Sequence, residues 1–162
     1  MSATGLEVFD KTLQTTNTWL AEINKAIGPD RHVAWHVLGA VLHTLRDRLP
    51  VGLAAHLGAQ LPLLVRGLYY DQWHPRQRPL KLRSAKQFLE EVALHLQDTR
   101  QVNPAEAARA VFQVLNHYLD PGQVTNVRDA LSEPIRRMWP NGEPTPQASG
   151  SIERTPAEAT KH

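Results

Sequence analysis

Apolar residues recur along the chain at helical spacing, and the pattern of the first half returns about 70 positions later. Residues 38–69 match residues 108–139 without a gap, and the helical pattern around Trp19 matches the one around Phe88 at an offset of 69. Apolar positions agree while most polar ones differ, as expected of a duplicated helical unit. The pattern predicts an all-α fold, a compact bundle of two pseudo-symmetric three-helix repeats.

Three helical patterns make up the first half. The first covers residues 6–27, and its apolar stripe includes Val8, Phe9, Leu13, Trp19, Leu20 and Ile23. A second begins after Asp30, whose side chain can cap a helix, and ends before Pro50. The third covers residues 52–70, where Pro62 should kink or break the helix because proline lacks the backbone N–H.

The helices of the second half are predicted from four residues that can act as N-caps, Ser84, Asn103, Asp120 and Ser132. The helices that follow them are expected over residues 85–97, 104–118, 121–131 and 133–138. We therefore expect one helical domain over residues 1–139, with repeats at 6–70 and 85–139 joined by a connector at 71–84. Residues 140–162 are poor in large apolar side chains and are expected to form a disordered tail.

Composition excludes several classes of chemistry. The chain of 162 residues has no cysteine, so disulfides, thiolate metal sites and cysteine nucleophiles are ruled out. It has no apolar run near 18 residues and no leader pattern, so we expect a cytoplasmic protein without a membrane span. The formal net charge is +2, so any preference for a polyanion must come from a local cluster.

Three histidines are the candidates for metal or acid–base chemistry. His32, His36 and His43 fall on one side of the second predicted helix. His36 follows His32 by four residues, and His43 follows His36 by seven. A metal site there would need a closing ligand, and no metal-binding signature is present. We expect surface or half-buried histidines, and neither a metal nor another cofactor.

Nucleophilic catalysis has no support in the sequence. There is no Gly-x-Ser-x-Gly elbow and no glycine-rich phosphate loop. Ser84 and Ser132 are explained as helix caps, and the remaining serines lie in the terminal segments. We expect that the protein is not an enzyme.

Residues 74–86 contain five basic residues and no acidic one: Arg76, Arg78, Lys81, Arg83 and Lys86. Tyr69, Tyr70 and Trp73 precede them, and basic side chains beside aromatic ones can hold a phosphate backbone and stack a base. The alternative is a solvated connector with the aromatic rings packed beneath it. We favour the alternative because no nucleic-acid-binding motif accompanies the charges.

Arginines in equivalent places of the two repeats suggest a structural role. Arg66 recurs as Arg136 at the end of an apolar helix. We expect both to pair with a carboxylate or with open carbonyls at a helix end, and Asp47 is the candidate partner of Arg66.

Several strings of the chain resemble the bacterial family called domain of unknown function 2267. The resemblance covers about residues 6–139 and continues more weakly through Phe88-Leu89. The strings are Val8-Phe9-Asp10, Gln14-Thr15-Thr16-Asn17, Trp19-Leu20, Leu42-His43-Thr44-Leu45-Arg46-Asp47-Arg48-Leu49-Pro50, Gly58-Ala59-Gln60-Leu61-Pro62, Arg66-Gly67, Tyr69-Tyr70 and Trp73-His74-Pro75. The resemblance implies a small all-helical cytoplasmic protein and brings no activity or catalytic residue.

These observations leave hypotheses from three classes. The first is a non-enzymatic interaction or scaffold module that binds a protein partner, with self-association included. The second is a weak binder of nucleic acid or another polyanion through residues 74–86. The third, an enzyme or metalloprotein using His32, His36 and His43, has the least support.

Overall fold

The computed structural model describes residues 3–75 and 79–140, which form eight α-helices and no strand. The helices are α1 (Glu7–Ile27), α2 (Arg31–Arg48), α3 (Val51–Gln60), α4 (Leu63–Tyr70), α5 (Ala85–His95), α6 (Pro104–Tyr118), α7 (Pro121–Asp129) and α8 (Glu133–Arg136). The all-α prediction is confirmed. The tail at residues 141–162 lies outside the described residues.

Most helix starts coincide with the predicted cap residues. The side chains of Asp30, Asn103 and Asp120 each accept two backbone N–H groups from the first turn of the following helix. Ser84 and Gln87 form a capping box at the start of α5, in which the side chain of each residue accepts the backbone N–H of the other. Local side-chain chemistry therefore sets these four boundaries.

Ser132 does not cap α8 as predicted. Its hydroxyl instead donates to the backbone carbonyl of Arg83, which ties the connector to the start of α8. The contact joins residues 49 positions apart, so local sequence carries no signal for it.

Each half of the described chain contains four helices rather than three. In the first half, Pro62 separates α3 from α4 because it cannot donate the backbone hydrogen bond of a continuous helix. The interruption agrees with the break expected at this proline.

The helices of the two halves pack into one core. The α1 helix packs against α2 and α6, while α5 packs against α6 and α2, and α2 contacts α6 between them. Val41 on α2 and Val111 on α6 are both fully buried. Superposition of the halves about a pseudo-twofold axis stays a prediction.

The α1 helix extends beyond this core at its N-terminal end. Its buried residues are Thr16, Trp19, Leu20 and Ile23, and the first of them, Thr16, is the tenth of the 21 residues of the helix. About 10 Å of helix separates Phe9 from Thr16 at a rise of about 1.5 Å per residue. The N-terminal half is therefore a helical segment with little covering.

No helix within residues 3–75 and 79–140 combines the length and apolar character required to cross a membrane.

Candidate functional site

The basic residues of segment 74–86 that the structure describes are exposed to solvent. Lys81, Arg83 and Lys86 are exposed, and Lys86 lies 3.8 Å from Glu90 on the next turn of α5. Arg76 and Arg78 lie outside the described residues. Three of the five basic side chains are thus available to a solution partner.

Two hydrogen bonds, one of them donated by a side chain, hold the second part of the connector against the end of α2. The N–H of Leu80 donates to the carbonyl of Asp47 at 2.9 Å, and Nε of Arg48 donates to the carbonyl of Leu82 at 3.1 Å. The side chain of Leu82 packs against the core. This part of the connector is attached to the bundle and is not a free linker.

The aromatic residues before the connector are packed against the bundle. Tyr69 is fully buried and its hydroxyl donates to the carbonyl of Ala54 at 2.6 Å, while burial raises its pKa. Tyr70 donates to the carbonyl of Ala55, and its ring lies 5.5 Å from that of Trp73. These rings act as structural supports, so the geometry disfavours base stacking at Tyr69.

Asp47 pairs with Arg46 and not with the expected Arg66. The Nε of Arg46 lies 2.9 Å from a carboxylate oxygen of Asp47. One terminal nitrogen of Arg46 donates to the carbonyls of Tyr69 and Asp71, at 2.8 and 3.1 Å. Arg46 is almost fully buried and caps the C-terminal end of α4, where open carbonyls accept hydrogen bonds.

Arg66 takes the second of its expected roles, at the open carbonyls of a helix end. Its guanidinium donates to the carbonyls of Gly58, Ala59 and Leu61, at distances of 3.0 to 3.2 Å. The Asp47–Arg66 prediction was wrong because Arg46 is adjacent to Asp47, whereas Arg66 extends toward the end of α3.

Arg136 lies in a different environment from Arg66. It lines a groove of about 460 Å³ together with Arg128, Arg137, Asp129 and Glu133. Arg137 pairs with Glu133 at 2.7 Å across one helical turn. Among the described residues, the guanidinium of Arg136 has no set of carbonyl hydrogen bonds like that of Arg66, so the two arginines do not take the equivalent roles that we expected.

The three candidate histidines do not share one site. His32 and His36 are exposed, whereas His43 is half-buried and its Nε2 lies 2.7 Å from the carbonyl oxygen of Leu68. A carbonyl only accepts, so Nε2 carries the hydrogen. Burial is the main cause that lowers the pKa of His43, and the nearby Arg46 acts in the same direction.

His43 lies in a pocket of about 380 Å³ that the sequence did not predict. The pocket is lined by His43, Arg46, Asp47, Asp71, Gln72, His74 and His95. The rings of His43 and His95 meet edge to face, with centroids 5.9 Å apart. Among the described residues, no group of three or more potential ligands is arranged to hold a metal ion. Only tertiary packing brings His95 to α2, so no local signal could have found this neighbour.

The clearest uncovered feature is an apolar surface at the N-terminal end of α1. Nine large apolar side chains of the described residues are exposed, and six of them come from this part of α1 or the start of α4. These six, which we call the α1 face, are Leu6, Val8, Phe9, Leu13, Leu63 and Leu64, exposed by 40–58%. The hydroxyl of Thr12 accepts the N–H of Leu64 at 3.2 Å, which holds the two helices together here.

Six large apolar side chains exposed at one end of the bundle need an explanation. Six side chains of this size, each about half exposed, present on the order of 500 Å² of apolar area, which is typical of interaction sites. The sequence showed the stripe of Val8, Phe9 and Leu13. It could not show that, among the described helices, this half of α1 is met only by the start of α4.

Comparison with known proteins identifies the family without giving an activity. No curated protein matches the chain. A family model described as "uncharacterized conserved protein (DUF2267)" matches residues 16–138. This match spans most of the chain and includes the strings that contain Arg46, Arg66 and Tyr69. The protein therefore belongs to the domain of unknown function 2267 family.

Proposed function

We propose that this protein is a non-enzymatic interaction module of the cytoplasm that binds a protein partner through the α1 face. The observation that carries the proposal is the concentration of exposed apolar side chains at one end of the bundle. Burying the exposed half of one such side chain contributes about 1 kcal/mol, so the surface gains free energy when a partner covers it.

The shape of the surface favours a helical partner. Phe9 and Leu13 are four residues apart on one side of α1, and the backbone of Leu64 at the start of α4 is bonded to the neighbouring Thr12. An amphipathic helix binds such a surface by placing apolar anchors at successive turns into the groove between neighbouring helices. Phe9 is the natural hot spot because aromatic side chains supply large contact areas.

Several polar side chains that could act in catalysis are instead hydrogen-bonded within the bundle, which supports a non-catalytic role. Arg46 uses its donors on Asp47 and on two carbonyls of the α4 end. Ser84 takes part in a capping box and Ser132 donates to Arg83. Each of these groups contributes to the framework, which leaves the α1 face as the best candidate for function.

Site-specific photocrosslinking in the native host tests this proposal. A benzophenone amino acid replaces Val8 or Leu63 in the α1 face, and the control replaces Leu94, which is 57% exposed elsewhere. We expect a discrete adduct from the first two positions only. The adduct should disappear when Phe9→Ser and Leu13→Ser are added.

Equal adducts from all three positions, or no adduct at Val8 and Leu63, would contradict the proposal. An adduct of twice the protein's own mass and an adduct with a different protein both support an interaction module, and they identify different partners.

The alternative function is polyanion binding through residues 74–86. It rests on the exposure of Lys81, Arg83 and Lys86. Five phosphate contacts would give a log–log salt slope of about −4.5 for duplex DNA. Under this alternative, replacing Arg76, Arg78 and Lys81 by Ala should flatten the slope.

A matched triple variant removes equal charge elsewhere, at the exposed residues Lys11, Lys25 and Arg109. Equal salt slopes for the two triple variants would exclude the connector as the binding surface.

A further inference from the structure

We propose that the occupant of the α1 face is a second copy of this chain, with two α1 helices packed about a twofold axis. This inference rests on the proposed function and names its partner. It follows from the spacing of the stripe, the area exposed and the composition of the chain outside the described residues.

The stripe on α1 has the spacing of a coiled-coil seam. Its positions are the N-cap residue Leu6, followed on the helix by Phe9, Leu13, Thr16, Leu20 and Ile23. The steps between them alternate between three and four residues, which is the repeat that two helices use when they pack along their length. Thr16, Leu20 and Ile23 are buried in the bundle, whereas Leu6, Phe9 and Leu13 are exposed. One half of the seam is therefore occupied and the other half is open.

A second copy presents an identical open half-seam. In a twofold interface, the same patch of each copy faces the other. One contact therefore covers the apolar side chains of both copies. Two patches of the size estimated above bury on the order of 1,000 Å² in total, which is the smallest area expected of a biological interface and is typical of a weak dimer. Leu63 and Leu64 widen the contact beside the seam.

The charged residues at this end of α1 lie beside the seam or on the opposite side of the helix. Helical geometry places Glu7 and Lys11 on the side of α1 opposite Phe9, since each is two residues away along the chain. Asp10 flanks the seam, and its carboxylate accepts hydrogen bonds from the N–H and hydroxyl of Thr4, at 3.1 and 2.8 Å. Glu7 and Lys11 therefore do not face a second copy across the seam, and Asp10 lies at its edge.

The C-terminal segment of the same chain is a poor occupant. Residues 141–162 contain one large apolar residue, Ile152, among prolines, glycines and polar residues. Such a segment cannot supply apolar anchors at successive turns. The second copy has the matching pattern, and a different protein is the remaining outcome.

Sedimentation equilibrium of the full chain tests the proposal. The wild type should reach twice the chain mass of 18.2 kDa as concentration rises. Phe9→Ser with Leu13→Ser should weaken dimerisation at least ~100-fold, because buried apolar anchors at the centre of an interface carry most of its affinity. Circular dichroism should show that the variant stays helical.

The matched control replaces two exposed apolar residues outside the α1 face, Val51→Ser with Leu94→Ser. It should dimerise as the wild type does. A monomeric wild type would overturn the proposal, and so would a dimer that survives the α1 variant. A monomer that still forms an adduct with another protein in the crosslinking experiment leaves the proposed function intact and removes only this inference.

Single cysteines give an independent measurement because the wild type has none. Oxidation should link Leu13→Cys chains into disulfide dimers, since this position lies in the seam and the substitution leaves the anchor Phe9 in place. Leu94→Cys should remain unlinked at the same concentration. Equal linking at Leu94 would indicate random collision and would contradict the proposed interface.

Discussion

At the residue scale, two arginines show how the family strings build the framework. Arg46 caps the end of α4, and Arg66 caps the end of α3. A guanidinium suits this position because its fixed fork of donors reaches several carbonyls at once. Both arginines lie in strings that carry the family resemblance, so at these positions the strings contain residues with a structural role.

The half-buried His43 makes stability depend on pH. Its folded-state pKa lies below the ordinary 6.5, chiefly because burial disfavours the charged ring. The unfolded chain therefore binds the proton first as the pH falls. The contribution is fully present above about pH 6.5 and is lost below it, as the pH falls toward the folded-state pKa.

We predict that His43→Gln flattens this dependence. The glutamine amide can still donate to the carbonyl of Leu68, but it does not titrate. Urea unfolding at about pH 7.5 and about pH 5 should show a smaller loss of unfolding free energy in the variant than in the wild type. His32→Gln, at an exposed histidine of the same helix, is the control. An equal loss in the wild type and His43→Gln would show that His43 does not carry the effect.

At the element scale, α3 and α4 approach so closely that one position excludes a side chain. A Cβ on Gly58 would lie 2.2 Å from the hydroxyl oxygen of Tyr70. Tyr70 cannot simply swing away without losing its bond to Ala55 and its contact with Trp73. Gly58 is therefore required by packing between the two helices.

Gly58→Ala should lower the free energy of unfolding by about 1–3 kcal/mol, the usual cost of overpacking. Gly67→Ala is the matched control, since a Cβ there meets nothing within 4 Å. The control should be neutral or stabilising by up to about 1 kcal/mol, because alanine favours helix. Thermal and urea unfolding measure both, and equal effects at Gly58 and Gly67 would contradict the packing argument.

The helices also show which parts of the fold are local. The starts of α2, α5, α6 and α7 followed from single cap residues, because the bonded groups lie within four positions. The role of Ser132, the partner of Asp47 and the neighbour of His43 were not predictable, because each depends on which helices meet. The α1 face belongs to the same class: its stripe is visible in sequence, but its exposure follows from packing.

At the scale of the whole molecule, the bundle covers one half of the α1 seam and leaves the other open. A helical segment with little tertiary packing is only marginally stable in water. The N-terminal half of α1 should therefore open more easily than the half held by Trp19 and Ile23. Association at the α1 face should remove this difference.

Hydrogen exchange measured as a function of protein concentration tests the central claim most directly. At high concentration, the amides of residues 11–15 should exchange markedly more slowly than at low concentration, while those of residues 19–23 should keep one rate. Phe9→Ser with Leu13→Ser should abolish the change. Exchange at residues 11–15 that is independent of concentration, or protection that rises equally in both halves of α1, would contradict an interaction surface at this end of the helix.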